Sequence, residues 1–293
     1  MDTNALQAFV AVAETGSFSR AAEKLFLTQS AMSKRILILE QQLNSRLFDR
    51  IGRTVGLTEA GHELLPRANR ILLELEDARR SLSNLSGEVS GTLSVAASHH
   101  ISLHRLPPIL RQYIREFPQV KLDLRFDESE IAYDNVLKGN LEIALITLAP
   151  HPAPSIHSKA IWSDKLNYVV ATDHPLASLK RVTLEQLCDY PAILSGSATF
   201  TRQLANLQFS QLGLQPDTTM STNYLDTIRM MVEIGLGWSL LPETMTENSL
   251  SILNVDVPPV TRELGYIIHK DRTLSNAARH FIHLLEQAAE KGS

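Results

Sequence analysis

The sequence predicts a multi-domain protein: an all-α N-terminal domain, one long helix, and a C-terminal α/β domain built in two lobes. Three observations predict it. Two short helices joined by a tight turn end near residue 43. An apolar seam at alternating spacings of four and three then runs from Leu64 to Leu85, as in a coiled coil. Beyond residue 90, short apolar runs alternate with helix-length segments, which is typical of an α/β domain.

Length and composition narrow the class of protein. The 293 residues suffice for two or three domains, and 44% hydrophobic with 20% charged residues is ordinary for a globular chain. No apolar run reaches the roughly 18–20 residues of a membrane span, and the N-terminus has no basic segment leading into an apolar one. We therefore expect a cytoplasmic protein with no signal peptide and no membrane partner.

The chain has one cysteine, Cys188, so no intrachain disulfide can form, which fits a reducing compartment. A buried, inert thiol is favoured over a redox role because nothing basic flanks it.

The first helix is predicted from the helical spacing of Leu6, Phe9, Val10 and Ala13, and Gly16 is its natural stop. A second helix is expected over Arg20–Phe26 with Ser19 as its cap, and a third from Thr28, its cap, to about Leu43. In the third helix the apolar stripe is expected at Ile36, Leu39 and Leu43. Two helices with a tight turn are the helix-turn-helix arrangement, whose second helix enters the major groove of DNA.

The start of the third helix carries polar side chains off the apolar stripe. Gln29, Ser30, Ser33 and Lys34 can hydrogen-bond base edges and phosphates. The alternative is an ordinary helical hairpin with a solvated polar face.

A short two-stranded hairpin is predicted to follow, over residues 47–50 and 55–58. It would bring Arg50 and Arg53 to a phosphate backbone. Residues 1–60 hold seven Lys or Arg and six Asp or Glu, a sum of +1, and the whole chain has a net charge of −4. A DNA-binding role must therefore rest on where the cations lie, which is around the third helix and the hairpin.

Residues 1–65 resemble the N-terminal domain of LysR-type transcriptional regulators. The matching segments are Leu6-x-x-Phe9, Gly16-Ser17-Phe18-Ser19-x-Ala21-Ala22, Leu27-Thr28-Gln29-Ser30-Ala31-x-Ser33, Leu47-Phe48-x-Arg50 and Leu57-Thr58-x-Ala60-Gly61. The family usually has proline where Ser30 lies, and serine, which keeps an N–H and a hydroxyl, is compatible with a helix start. The resemblance implies a winged helix-turn-helix DNA-binding domain over 1–58, with these DNA-binding residues: Ser19, Arg20, Thr28, Gln29, Ser30, Ser33, Lys34, Arg35, Arg50 and Arg53.

Residues 59–88 are predicted to form the linker helix. Its heptad seam consists of Leu64, Ala68, Ile71, Leu75, Ala78, Leu82 and Leu85. A single buried amphipathic helix is the alternative, but a strict seam of this length favours pairing with a second helix. In the family this segment dimerises, so a homodimer through residues 64–85, a roughly palindromic double-stranded DNA site and further assembly into a homotetramer are implied.

Residues 89–293 are predicted to be the effector-binding domain, with a parallel sheet. Two α/β series of similar size suggest lobe I at about 91–161 plus 266–293 and lobe II at about 162–265, with crossovers near Trp162 and Gly265. This half is similar to the family's effector domain, which has a periplasmic-binding-protein-like fold; Gly235-Leu236-Gly237-x-x-Leu240-Leu241-Pro242 is a further match.

Three hydroxyl-rich loops follow predicted strands, where α/β folds bind ligands at helix N-termini. By position and by the resemblance, the effector-binding residues are Ser98, His99, His100, Ser129, Ser195, Ser197, Thr199, Thr201 and Arg202. Hydroxyls, histidines and an arginine suit a small carboxylate or other anion. Each single hydroxyl could instead be a helix cap.

No catalytic, cofactor or metal site is expected. His100 and His104 have zinc-compatible spacing, but no Cys or carboxylate lies near them in sequence, and His280 and His283 read as a surface pair. No nucleophile elbow, phosphate loop or dinucleotide fingerprint occurs. The sequence thus predicts a sequence-specific, effector-controlled DNA-binding regulator that is not an enzyme, with RNA polymerase as a further partner. The rival is a small-molecule binding or transport protein built on the same two-lobed domain.

Overall fold

The computed structural model describes residues 2–51, 54–246 and 249–291. The chain divides into two compact units, Met1–Ser86 and Gly87–Ser293. Within the described part of the chain, no helix is long and apolar enough to cross a membrane.

In its described residues, the N-terminal unit contains four helices and a hairpin: α1 (Thr3–Thr15), α2 (Phe18–Lys24), α3 (Gln29–Leu43), β1 (Phe48–Ile51), β2 (Thr54–Leu57) and α4 (Glu59–Asn84). β1 and β2 pair antiparallel, with Phe48 opposite Leu57. The predicted helix-turn-helix, hairpin and long helix are therefore confirmed.

The helix ends follow local hydrogen bonding, with one correction. Gly16 ends α1 in the left-handed conformation at φ 60°, and the Thr28 hydroxyl accepts from the Ala31 N–H at 3.2 Å, both as predicted. The expectation that Ser19 caps the second helix is wrong. Ser17 has the extended backbone of a cap and its Oγ accepts from the Arg20 N–H at 3.4 Å, so α2 begins two residues earlier.

The N-terminal core forms where α1 packs against α2, α3 and α4. On α3 the buried residues are Met32, Ile36 and Leu39. Leu43 was expected on this stripe but is 37% exposed. It is the last residue of α3, and the chain reverses at Asn44 in the left-handed conformation, so the buried stripe ends one turn earlier.

The heptad seam of α4 is used in two ways. Leu64 and Ala68 pack into the core of their own unit rather than lying free for a partner helix. Ile71, Leu82 and Leu85 are 42%, 70% and 82% exposed. The surface of α4 that remains available to a second chain therefore begins near Ile71, later than the seam from Leu64 predicts.

The C-terminal unit is an α/β structure, as predicted. Its elements are β3 (Gly91–Ala97), α5 (His99–His104), α6 (Leu106–Glu116), β4 (Val120–Phe126), α7 (Ser129–Leu137), β5 (Ile143–Thr147), β6 (Ile156–Ala171), α8 (Leu184–Cys188), β7 (Ala192–Leu194), α9 (Phe200–Gln211), β8 (Thr218–Ser221), α10 (Leu225–Glu233), β9 (Ser239–Pro242), β10 (Leu250–Ile252), β11 (Val260–His269) and α11 (Asn276–Lys291). Short 3₁₀ helices lie at Pro175–Ser178 and Glu243–Met245.

The main sheet is mixed, so the expectation of a parallel sheet is wrong. Its order is β10-β6-β11-β5-β3-β4, with β9 also on β6. β3 pairs parallel with β4 and β5, but β11 runs antiparallel to β5 and β6. β7 and β8 form a separate parallel pair. The long antiparallel strands connect the two halves of the unit, so a purely parallel arrangement is not possible.

Among the described residues of this unit, the two larger hydrophobic cores lie at opposite ends of β6 and β11. One includes Leu93, Ile101 and Tyr266, and the other includes Leu166, Trp238 and Val260. The register of β11 on β6 shifts between Leu264 and Gly265. The predicted domain and lobe limits stay predictions.

We predict that Gly61→Ala destabilises the N-terminal unit. A Cβ at Gly61 would lie 2.3 Å from the Leu47 carbonyl oxygen, so the start of α4 would move away from the hairpin. Overpacking of this kind costs about 1–3 kcal/mol. Gly56→Ala is the matched control, because a Cβ there meets nothing within 4 Å. Urea denaturation of the full chain checks this; equal free energies of unfolding for both variants would contradict it.

Candidate functional sites

The first candidate site is the N-terminal end of α3. Gln29, Ser30 and Lys34 are exposed there, and Ser33 and Arg35 are half-buried. The Ser30 hydroxyl lies 3.0 Å from the Thr28 hydroxyl that caps the helix. The start of the helix therefore presents hydroxyl, amide and cationic groups together on its first two turns.

The other predicted DNA-binding residues differ in their surroundings. Arg20 donates to the Thr15 carbonyl at 2.5 Å, and Ser19 is exposed on α2. Arg50 belongs to β1, but its side chain lies outside the described residues, as does all of Arg53. The prediction that these two arginines contact phosphate remains a prediction.

The second candidate site is a cavity of about 560 Å³ in the C-terminal unit. It is lined from one side by the ends of β3, β4 and β5 and from the other by the loops that open α9 and α10. Its lining residues are Ser98, His99, His100, Ser102, Leu103, Phe126, Asp127, Glu128, Ser129, Glu130, Thr147, Ser195, Thr199, Thr201, Asn223, Tyr224, Leu225, Arg262 and Leu264. Seven of the nine predicted effector residues thus lie on one cavity: Ser98, His99, His100, Ser129, Ser195, Thr199 and Thr201.

A buried ion pair lies at the cavity wall. Arg262 on β11 and Asp164 on β6 are opposite each other in the strand register. The Arg262 Nε and Nη2 atoms donate to Asp164 Oδ2 at 2.9 Å and 2.7 Å, and the Nη1 atom donates to the Thr201 hydroxyl at 3.2 Å. Arg262 therefore joins β11, β6 and α9, and it presents a largely neutralised cation to the cavity.

His100 is buried beside this pair. Its Nε2 atom is 3.6 Å from Asp164 Oδ2, beyond a hydrogen bond, and neither ring nitrogen has a hydrogen-bond partner among the described residues. The pKa of His100 is lowered from 6.5 to about 4, mainly by burial and the Arg262 charge. Asp164 opposes the shift, and His104 and Arg105 contribute smaller lowering effects. At neutral pH the imidazole is uncharged, so it can offer one donor and one acceptor to a ligand.

Glu130 connects the two sides of the cavity. Its Oε1 atom accepts from the backbone N–H of Phe200, the first residue of α9, at 2.6 Å. Burial raises the pKa of Glu130, and the Phe200 N–H opposes that shift. The ring of Tyr133 on α7 also meets the Phe200 ring edge-on, with centroids 5.8 Å apart. A carboxylate of α7 thus already occupies part of the N-terminus of α9.

Two predicted effector residues do not line the cavity. Arg202 is buried and donates to Asn206 at 2.8 Å, Thr218 at 2.6 Å and the Ser195 carbonyl at 3.3 Å. Its guanidinium holds α9 against β8 because the side chain turns away from the cavity. Ser197 is exposed outside the cavity.

The cation that does reach the cavity, Arg262, was missed from the sequence. A signal for it exists: buried and exposed residues alternate along the start of β11, and Arg262 lies in the buried phase between Val260 and Leu264. Asp164 lies in the buried phase of β6 in the same way. Two opposite charges on inward positions of neighbouring strands predict a buried pair. Glu130 at the start of α7, and Asn223 and Tyr224 just before α10, were also missed, because the tertiary fold sets their approach to the cavity.

Metal binding is not indicated by the described residues. They contain no group of three or more His, Cys, Asp or Glu side chains that could hold a metal ion. The rings of His100 and His104 do lie near each other, with centroids 4.9 Å apart. Two imidazoles without a third ligand are not a zinc site.

Two family models match the chain. The model for the bacterial regulatory helix-turn-helix protein of the lysR family matches residues 3–62, and the LysR substrate binding domain model matches residues 86–290. The chain belongs to the LysR family of transcriptional regulators. This family assignment confirms the N-terminal helix-turn-helix domain and the effector-binding C-terminal domain, and relatives in this family are regulators rather than enzymes.

Individual relatives agree with the family assignment. The uncharacterized HTH-type transcriptional regulator YfeR of Shigella flexneri is 31% identical, over 93% of this chain and 89% of its own length. A full-length OxyR variant from Pseudomonas aeruginosa has a similar fold with a TM-score of 0.70, 23% identity, and coverage of 99% of this chain and 95% of that one. Full-length CbnR complexed with its target DNA has a TM-score of 0.62 at 23% identity, covering 98% of this chain and 100% of that one.

We predict that His100 makes the C-terminal unit less stable in acid. Its pKa is about 4 in the folded chain and 6.5 ordinarily, so between these values the unfolded chain binds a proton that the folded chain does not. Stability should therefore fall as pH drops from about 6.5 to about 4, by on the order of 3 kcal/mol in total.

The measurement is urea denaturation of the full chain at several pH values. His100→Gln should lose this part of the pH dependence, and His151→Gln, at an exposed histidine of the same unit, should keep it. An unchanged pH profile in His100→Gln would refute the assignment.

Proposed function

We propose that this LysR-family chain is a sequence-specific DNA-binding regulator whose C-terminal cavity binds a small molecule with a carboxylate or another anionic group. The observation that carries the proposal is the convergence of helix N-termini, the neutral His100 and Arg262 on one cavity. A transport or storage protein would need the cavity alone, and the helix-turn-helix domain in the same chain favours regulation. The site of action would be the cytoplasm, where the DNA is.

The DNA-binding part of the proposal rests on α3. Its exposed first turns carry Gln29 and Ser30, which can read base edges, and Lys34, which can neutralise phosphate. Among the described residues, Lys34 and Arg35 make no ion pair, so both charges are available to DNA. The exposed leucines at the end of α4, Leu82 and Leu85, support pairing with a second copy. A dimer would present two α3 helices to two half-sites, and a tetramer would add two more.

The effector part of the proposal rests on helix N-termini that no side chain of the cap residue closes. Neither Glu128 at the start of α7 nor Tyr224 at the start of α10 caps its helix with a side-chain hydrogen bond. Of these two helix starts, the one of α10 favours an anion, because α7 begins among the carboxylates of Asp127, Glu128 and Glu130. Asp127 and Glu128 also line the cavity at its edge, where Asp127 is half-buried and Glu128 is exposed. The Glu130 carboxylate already accepts a hydrogen bond from the Phe200 N–H. The charged group of the ligand should avoid that edge, while Leu103, Phe126 and Leu264 receive its apolar part.

The DNA-binding part is tested by nuclease footprinting on DNA upstream of the chain's own gene, followed by titrations at several salt concentrations. Lys34→Ala should weaken binding to all sequences and reduce the salt slope by roughly 1, because one phosphate contact is lost. Lys165→Ala is the control, since Lys165 is an exposed lysine of the C-terminal unit. Absence of any salt-sensitive protected site would contradict the proposal.

The effector part is tested by a thermal-shift screen of small carboxylates against the full chain. A true ligand stabilises the folded state by mass action, by about 2.7 kcal/mol at 100 times its Kd. His100→Phe keeps the ring shape but removes both ring nitrogens, so it should abolish the shift, whereas His151→Phe should retain it. A shift that survives in His100→Phe, or no shift with any carboxylate, argues against this site.

A further inference from the structure

Phe26 occupies a backbone position that normally belongs to glycine. The Leu27 N–H donates to the Ala22 carbonyl at 2.8 Å and the Phe26 N–H donates to the Glu23 carbonyl at 3.1 Å, which is the hydrogen-bond pattern of a Schellman motif at the end of α2. Phe26 has φ 54°, in the left-handed region. For a bulky side chain this conformation is an outlier, and it destabilises the fold relative to glycine.

The Phe26 side chain gains nothing from packing within the chain. It is 97% exposed, whereas its neighbours Leu25 and Leu27 pack against the N-terminal core. An exposed apolar side chain on its own is ordinary. A phenylalanine that is both fully exposed and held in a strained backbone conformation has no explanation in the stability of the fold, and such residues concentrate at functional sites.

The position of Phe26 relates it to the DNA-binding surface. It lies in the turn between α2 and α3, two residues before Thr28, whose hydroxyl caps α3. Gln29 and Ser30 directly follow Thr28 and are exposed at the N-terminal end of α3. In a helix-turn-helix, the first helix crosses the phosphate backbone while the start of the second enters the major groove. In that arrangement the turn between α2 and α3 would lie beside the sugar–phosphate strand that borders the groove.

We propose that Phe26 is a DNA-contacting residue, with its ring packed against the deoxyribose of the strand that borders the groove receiving α3. The occupant is DNA because the ring adjoins the reading end of α3 rather than the exposed leucines of α4. The inference rests on the proposed DNA-binding function. Contacts to the sugar–phosphate strand fix the register of a protein on the duplex without reading its sequence.

A ring on deoxyribose has a distinctive signature in binding data. Its loss weakens binding to specific and nonspecific DNA by similar factors, because sugar is common to all sequences. The salt slope stays unchanged, because no counterion is released by an uncharged ring. Loss of a lysine contact to phosphate changes the slope, so the two kinds of contact are separable in one titration series.

The experiment compares Phe26→Gly, Phe26→Ala and Phe26→Tyr in the full chain by fluorescence anisotropy on the footprinted site and on unrelated duplex DNA. Gly and Ala should each raise Kd roughly tenfold on both DNAs, as expected for one lost aromatic contact, and Tyr should stay close to native. Thermal unfolding should give a different order: Gly raises the transition temperature of the N-terminal unit by a few degrees, and Ala does not, since only glycine relieves the left-handed strain.

A more stable Phe26→Gly chain that binds DNA more weakly is the expected result, and misfolding cannot produce it. Native affinity in Phe26→Gly would overturn the inference while leaving the proposed function intact. Loss of DNA affinity that tracks loss of dimer in sedimentation would also overturn it, by assigning the ring to contact with a second copy. If the native chain protects no site, the proposed function and this inference fall together.

Discussion

The arrangement of strands and helices around the cavity of the C-terminal unit depends on the ion pair between Asp164 and Arg262. The two residues are only 3% and 4% exposed, on directly opposed positions of the two longest strands. A buried pair often contributes little net stability, because desolvation offsets the attraction, but loss of one partner costs about 3–5 kcal/mol. The pair therefore adds little to the free energy of unfolding but constrains the geometry of the two strands. It holds β6 and β11 in register where they pass between the two cores, and it directs the Nη1 atom of Arg262 to Thr201 on α9.

The same pair determines the chemistry of the cavity. Arg262 helps keep His100 uncharged, and Asp164 neutralises most of the Arg262 charge. A ligand therefore meets dipoles and hydrogen-bonding groups rather than a free cation. The Glu130 carboxylate at the start of α9 shows that this helix end accepts an anion, since a side chain of the protein already uses it.

The features of the fold that were predicted from sequence are those fixed locally. Thr28 and Gly16 set helix ends through hydrogen bonds within a few residues. Phe26 departs from the preference for glycine in the left-handed conformation, and it does so in the turn between α2 and α3. Such departures are expected at functional sites.

What could not be predicted depends on residues far apart in the chain. Arg202 looked like a ligand-binding cation because it follows a hydroxyl-rich loop, but Thr218 and Asn206 engage it. Arg262 has its partner 98 residues away, so only the strand register brings the pair together. The first half of the long strand β6 is partly exposed and contains polar residues, so its full length does not stand out in the sequence.

We propose that ligand binding in the cavity built around Asp164 and Arg262 controls DNA binding, and this proposal can be tested. Its most direct test is the Kd for the footprinted DNA site, measured with and without a stabilising carboxylate, in the native chain and in Asp164→Leu with Arg262→Met. The double replacement removes the pair without leaving a lone buried charge, so the fold should persist. The account predicts that the carboxylate changes the Kd for DNA in the native chain and not in the double variant, and that DNA changes the affinity for the carboxylate by the same factor. An equal change of the Kd for DNA in both chains, or no change in the native chain, would contradict it.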